Sequence, residues 1–336
     1  CIRDRIQSGE QVEEIKVLMS EGWDEEGGGP DVFRNRTFSW AAFASDFSAP
    51  VVIEIEKIFG EGSLDVELVP SAYNLVPLQL NGGSKVAVVL DRPRYFSVNF
   101  KSADNQHTAD GIIRHMLMIF ADPLEDDIPD KHAPGVHVFG ASTSQSDVDA
   151  ATLLYFEPGY YDLRDQFEGG ILNLIEDSQI YIAGGAFIDG KIDTEDRSDR
   201  TRIWGRGAIS GRKYPWNGNQ PISALVEAKG NDVVIEGIFA MDNNKHGIVP
   251  GWSATLRNVK VWGWHYNNDG FRPWGGLVEH CFTRPADDAF YVGGRDLVVR
   301  DSVIWQSFNG AVVTCGWGSE TNPYDTSGFW MENCHI

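Results

Sequence analysis

Apolar and polar residues alternate along the first part of the chain. The runs "PVVIEIEKI", "SLDVELVP", "SKVAVVLD" and "RYFSVNFK" all fall between residues 50 and 101. Each is a period-two pattern closed off by Pro, Gly, Asn or Asp, the signature of a half-buried strand. Strands at intervals of about ten residues predict a small β-sandwich. "HMLMIFADPLEDDIPD" adds a last strand and an acidic exit. We assign residues 1–145 to this sandwich and read "KHAPGVHVFGASTSQSDVDAA" as the connection that follows it.

Across residues 146–336 the pattern becomes short apolar strands with repeated glycines, as in "SQIYIAGGAFIDGKI" and "TRIWGRGAISG". An internal repeat follows: two polar or small residues, then an apolar-spaced strand. It begins at Glu236, Arg257, Glu279, Arg300 and Glu332, in steps of 21, 22, 21 and 32 residues. "GAFIDG" at Gly185 and "GAISG" at Gly207 repeat with a step of about 22. A period near 22 with short strands and no helical segment predicts the coils of a parallel β-helix. Ile238, Val259, Cys281, Ser302 and Cys334 then share one inward slot. Cys281 and Cys334 lie two coils apart, roughly 9–10 Å, beyond the reach of a disulfide and suited to a core. The expected fold class is all-β, an N-terminal β-sandwich followed by a right-handed parallel β-helix.

Charge narrows the partners. The chain carries 28 Lys and Arg against 49 Asp and Glu, a net −21. Such a surface repels nucleic acid and anionic membranes. No run of 18 apolar residues exists to span a bilayer. The cysteine spacing fits neither a zinc site nor a disulfide-rich scaffold, and no nucleotide loop is present. No cofactor or metal is expected, and a monomer is. The chain starts at Cys1 and lacks a leader, which we read as processing or truncation. The sequon at Asn35, Arg36 and Thr37 is compatible with secretion. The last coil has no polar cap, so the protein is expected to continue past Ile336.

Candidate chemistry centres on Asp269, Asp287 and Asp288 in "YNNDGFRPWGGLVEHCFTRPADDAFYV". From its own repeat marker Asp269 lies 12 residues on, and Asp287 and Asp288 lie 8 and 9 on in the next coil. Asn244 and Asn309 lie 8 and 9 on in the flanking coils. Similar depth in adjacent coils means lateral neighbours about 5 Å apart. Crowded carboxylates raise one pKa, which supplies an acid beside an ionised base, the pair that glycoside hydrolysis needs. The competing reading is turn residues in an acidic chain, since Asx residues favour turns between coils. Adjacent strand residues also face opposite sides. Asp287 and Asp288 can share a site only where the strand bends or ends, and Pro285 suits such a break.

Trp262, Trp264, Tyr266, Trp274 and Trp305 surround this stretch as candidates to stack on sugars. Arg272, Arg284 and His265 can supply charge to an acidic substrate, or Arg272 can pair with Asp269 or Asp288. His246, one coil earlier, either borders the groove and binds a hydroxyl or is a turn histidine.

"NND" (Asn267 to Asp269) followed by Asp287 and Asp288 resembles the signature of the polygalacturonase and dextranase clan of β-helix glycoside hydrolases. "NGAVVTCGW" from Asn309, "YIAGGAFIDG" from Tyr181 and the N-terminal sandwich resemble glycoside hydrolase family 49, the dextranases and isopullulanases. "FNG" stands where polygalacturonases have Gly-His-Gly. The resemblance implies a secreted, inverting, endo-acting hydrolase of an α-linked glucan. It makes Asp287 the general acid, with Asp269 and Asp288 sharing the base role. Asn267, Trp264, Tyr266, Arg272, Trp274, His246 and Asn309 would contact the polysaccharide substrate. An inverting pair implies carboxyls roughly 6.5–9.5 Å apart. Two other readings stand: a hydrolase or lyase acting on an acidic polysaccharide, and a non-catalytic carbohydrate-binding β-helix.

Overall fold

The computed structural model describes residues 2–8, 11–22, 36–103, 115–194, 198–214, 223–307, 309–315 and 325–336. Cys1, Asn35 of the sequon, Phe308 of "FNG" and the Gly316–Trp317 end of "NGAVVTCGW" lie outside them. The described chain forms two compact units that meet in sequence at Asp126 and Asp127.

The first unit is built from two five-stranded sheets. Its strands keep the alternation seen in the sequence: Val51–Lys57 buries Val51, Ile53 and Ile55 and turns the residues between them outward. Those three pack with Val86 and Val88 of the same sheet against Phe96, Val98, Leu117 and Ile119 of the other. Two apolar faces closing on one another form the core of a sandwich. The strand His115–Pro123 runs antiparallel to Arg94–Phe100 and parallel to Arg36–Ser45.

The second unit is a stack of coils whose strands form three parallel sheets. The first sheet runs through nine strands, from Val136–Val138 to Trp330–Glu332. Because Val136–Val138 already pairs with Leu153–Phe156, the segment read as a connection is part of this sheet. The second sheet holds seven strands, Gly159–Asp162 to Val303–Ile304. The third holds Ile171–Asn173, Lys191–Asp193, Ala224–Ala228 and His246–Pro250. Bridges from Ile248 to Phe271 and from Phe271 to Phe290 carry it on to Phe290–Val292 and Val313–Cys315.

The repeat markers are register partners. Glu236, Arg257, Glu279, Arg300 and Glu332 stand side by side in the first sheet. Their alternating sign becomes a ladder, in which Glu279 Oε1 accepts from Arg257 Nε at 2.7 Å and Oε2 from Arg300 Nη2 at 2.6 Å. The residue after each marker turns the chain from the first sheet to the second in a left-handed conformation: Gly237, Asn258, His280, Asp301 and Asn333 have φ of 79°, 52°, 53°, 52° and 53°. That conformation favours Gly, Asn, Asp or His, which accounts for the small or polar second residue of the repeat.

Inside the coils Ile180, Ile203, Ile235, Leu256, Val278 and Val299 stack as successive register partners and are all buried. Ile238, Val259, Cys281 and Ser302 are buried as expected, and Cys334 is half-buried. Both cysteines are free thiols, and burial pushes that of Cys281 up to about 12. One register differs from expectation. Phe187, not Ala186, pairs with Ala208, so the glycine-marked coils step by 21 residues, because Gly207 N–H instead donates to Ile182 O in the coil before.

Candidate active site

Register brings the aspartates together. Counting two residues back from Ile248, Phe271, Phe290 and Val313 places His246, Asp269, Asp288 and Ala311 in one row of the third sheet. Backbone bonds hold that row: Gly247 N–H donates to Asp269 O at 2.9 Å and Gly270 N–H to Asp288 O at 2.8 Å. Phe271 and Phe290 point inward beneath it and stack with ring centroids 5.5 Å apart. Counting from the markers put Asp269 three residues deeper than Asp288, 12 against 9. The turn at Trp264–Asn268 takes up those residues before the third sheet begins, so the two aspartates become lateral neighbours.

Asp287 reaches the same place from outside the row. Residues 285–289 lie between Phe282–Arg284 and Phe290–Val292 and belong to neither strand. Strand alternation therefore does not separate Asp287 from Asp288. Asp287 Oδ2 accepts from the backbone N–H of Asn267 at 2.8 Å and from Asn309 Nδ2 at 2.7 Å. Asn267 donates from a left-handed conformation, φ 61°. Burial is the main cause that raises the Asp287 pKa. The charges of Asp269 and Asp288 add to it, against the two hydrogen bonds, which favour the ionised form.

Asp288 Oδ1 accepts from Ala311 N–H at 2.8 Å and Thr314 Oγ1 at 2.7 Å. Asp269 is buried, with its Oδ2 3.0 Å from His246 Nδ1 and 4.0 Å from Arg272 Nε. His246 is thus a strand residue beside a carboxylate rather than a turn histidine. One oxygen of each aspartate lies within 4.8 Å of those of the other two. The lateral strand spacing, about 4.8 Å, sets the Asp269–Asp288 gap, and the bonds from Asn267 and Asn309 fold Asp287 back onto the pair. Among the described residues this is the acidic, His or Cys group close enough to share a cation. Asp287 Oδ2 and Asp288 Oδ1 each already accept two protein hydrogen bonds.

Several supporting residues escaped sequence reasoning. Asn268 is fully buried. Its Oδ1 accepts from the N–H groups of Trp264 and His265 at 2.9 and 2.8 Å, and its Nδ2 donates to Lys245 O at 2.8 Å. It shapes the turn that delivers Asp269, and its only sequence signal is the Asn pair itself. Gln306 Nε2 donates to the carbonyls of Asp287 and Asn309 at 2.8 and 2.7 Å. Gly310 has φ 70°, and a Cβ there would stand 2.5 Å from the backbone of Asp287 and Asp288. Thr314 and Gly310 carry no pattern that marks them before the coils are stacked.

The aromatic and basic candidates divide. Trp262 and Trp264 are 0% and 3% exposed, so neither can stack on a sugar; Trp262 packs edge-on to Phe239, and Trp264 packs against Arg284. Arg284 is buried, with its guanidinium 4.7 Å from the Trp264 ring and 6.0 Å from that of Trp305. It is therefore a packing residue and does not line a groove. Arg272 lies over the Tyr291 ring at 4.3 Å. Tyr266 and His265 are half-buried in the turn before Asp269. Asn309 and Asn267 hold Asp287, the second through its backbone. Asn244 is buried. Trp274 is half-buried beside Trp252, which the sequence reading passed over.

Fold and site together define a parallel β-helix with a three-carboxylate cluster on its third sheet. Comparison with known proteins narrows the class. No family model matches the chain. It is 23% identical to a dextranase of Arthrobacter globiformis over 84% of this chain and 52% of that one. It is 21% identical to an isopullulanase of Aspergillus niger over 90% of this chain and 57% of that one. The chain thus spans about half the length of the curated relatives it matches. In structure it is similar to Dex49A from Penicillium minioluteum, with a TM-score of 0.79, 18% identity and coverage of 100% of this chain and 70% of that one. The chain resembles glycoside hydrolase family 49 in sequence and fold, as its motifs implied. No helix among the described residues is long and apolar enough to cross a membrane.

Proposed function

We propose that this chain carries the catalytic site of a secreted, endo-acting glycoside hydrolase that cleaves an α-linked glucan such as dextran or pullulan. The observation that carries the reading is the cluster itself: three carboxylates from two adjacent coils with oxygens within 4.8 Å. Burial and two neighbouring negative charges raise the Asp287 pKa, which suits it to protonate the leaving glycosidic oxygen. Asp269 and Asp288 share the base role. A water donating to two carboxylate oxygens at about 2.8 Å each, with a tetrahedral angle between them, spans about 4.6 Å. Oxygens within 4.8 Å of one another are compatible with that span. The net charge of −21 favours a neutral polymer over a polyuronide. The similar proteins named dextranase and isopullulanase support the same substrate class.

Single displacement by that water inverts the anomeric centre. A second reading is double displacement: retaining enzymes hold their pair about 5–5.5 Å apart, and carboxylate oxygens within 4.8 Å are compatible with it. In that reading Asp269 attacks the anomeric carbon and water releases the sugar afterwards. Proton NMR of the first products from dextran or pullulan separates the two: β-anomers signify single displacement, and α-anomers signify a covalent intermediate. Release of no reducing ends from either glucan, with release from a polyuronide, overturns the substrate class.

A further inference from the structure

We propose that Trp252 and Trp274 form a second glucan-binding platform, at the far end of the third-sheet strands from the carboxylates. The proposal rests on the hydrolytic reading above for its ligand class. Their rings lie 5.4 Å apart, centroid to centroid, and are tilted by 51°. Trp252 is 44% exposed, whereas Trp262 and Trp264 of the next coil are buried. The pair is built rather than incidental. A Cβ on Gly293 would stand 3.1–3.4 Å from three atoms of the Trp274 indole, so that indole lies against bare backbone. A Cβ on Gly294 would stand 2.2 Å from Trp274 O and 2.9 Å from the Trp252 ring. Any side chain at either glycine would displace the rings.

The platform uses the same three coils as the active site. Trp252 follows His246 by six residues, Trp274 follows Asp269 by five, and Gly293 follows Asp288 by five. At about 3.3 Å per residue the platform lies up to about 16–20 Å along the strands from the carboxylate row. Arg272 and Tyr291, stacked at 4.3 Å, occupy the strip between. One sugar cannot touch both ends of this strip, but a polymer can. A tilted pair of indoles presents apolar faces to the C–H faces of pyranose rings and needs no charge to bind them. The acidic surface would repel a charged chain, which again points to a neutral glucan. The platform then tethers long chains and leaves the chemical step alone.

The test uses Trp252→Ala, with Trp252→Tyr as the conservative partner. On polymeric dextran or pullulan, Trp252→Ala should raise KM about tenfold and leave kcat unchanged. On short oligosaccharides of the same linkage both constants should match the parent, and Trp252→Tyr should restore the polymer KM. Binding is read separately, by retardation of the Asp287→Asn protein in gels containing dextran or pullulan. Adding Trp252→Ala should weaken that retardation by a similar factor. Unchanged KM and retardation, or equal losses on short and long substrates, overturn the platform. Retardation that depends on Trp252 without any hydrolysis by the parent overturns the hydrolytic reading alone.

Discussion

Asn309 donates its side-chain amide to Asp287 Oδ2 at 2.7 Å across 22 residues of sequence. This bond favours the ionised form of the very carboxyl that burial and two neighbouring aspartates favour as the acid. The site therefore holds its proton donor between opposing influences, and removing one of them has a definite sign.

Asn309→Ala should raise the Asp287 pKa further, because a donor to the charged form is lost. Activity requires the protonated acid, so the basic limb of the kcat/KM profile should move to higher pH. The looser carboxyl should also lower kcat by about tenfold. A pH–rate series measures both, and a basic limb that stays put or moves down contradicts the assignment of Asp287.

Asp287→Asn should lower kcat/KM by about 10²–10⁴-fold. Its effect on stability runs the other way. A carboxyl whose folded pKa lies above its unfolded value binds more protons when folded. Its favourable contribution is complete at low pH and is lost as pH rises through the folded pKa. At neutral pH the parent thus carries a partly buried charge that the amide lacks. Melting curves at pH 7 should show a higher Tm for the variant, with the difference closing in acid.

Glu279→Gln tests the charge ladder. Burial pushes the Glu279 pKa up, but the hydrogen bonds from Arg300 and Arg257 outweigh it and hold the carboxyl below its ordinary range. The stability it contributes is present above the unfolded pKa, about 4.3. It disappears as pH falls through the lower folded value. The variant should lose about 2 kcal/mol at pH 7 in denaturant titrations and converge with the parent only as pH falls through the lowered folded value.

Gly310→Ala should be costly far beyond the removal of one hydrogen. The position has φ 70°, and the new methyl would meet Asp287 and Asp288 backbone at 2.5 Å. A loss of about 1–3 kcal/mol is expected. Activity at a temperature where the variant stays folded should fall as well, since the two aspartates must shift. Full activity there would show that the pair tolerates displacement.

Much of this protein was legible before its coils were stacked. The alternation in "PVVIEIEKI" appears as a strand of the sandwich, and the markers from Glu236 to Glu332 appear as register partners. Both are local patterns: period two follows from the pleat, and a period near 22 from the repetition of one coil. The motif from Asn267 to Asp288 placed the carboxylates in adjacent coils for the same reason. The roles of the surrounding residues were less legible. Trp262, Trp264 and Arg284 have the composition of a sugar groove, yet the structure buries them. Whether a side chain faces the core or the groove depends on where each strand begins, and a turn of variable length shifts that start.

The sequence by itself determined the coil, its step and the three aspartates, because backbone geometry repeats wherever short-range pattern repeats. Only the tertiary structure decided their spacing and their partners. The distance between Asp269, Asp287 and Asp288 is set by lateral strand spacing and by bonds from Asn267, Asn309, Ala311 and Thr314. Those donors lie some twenty residues or more away in sequence from the carboxylates they hold, and stacking alone makes them neighbours.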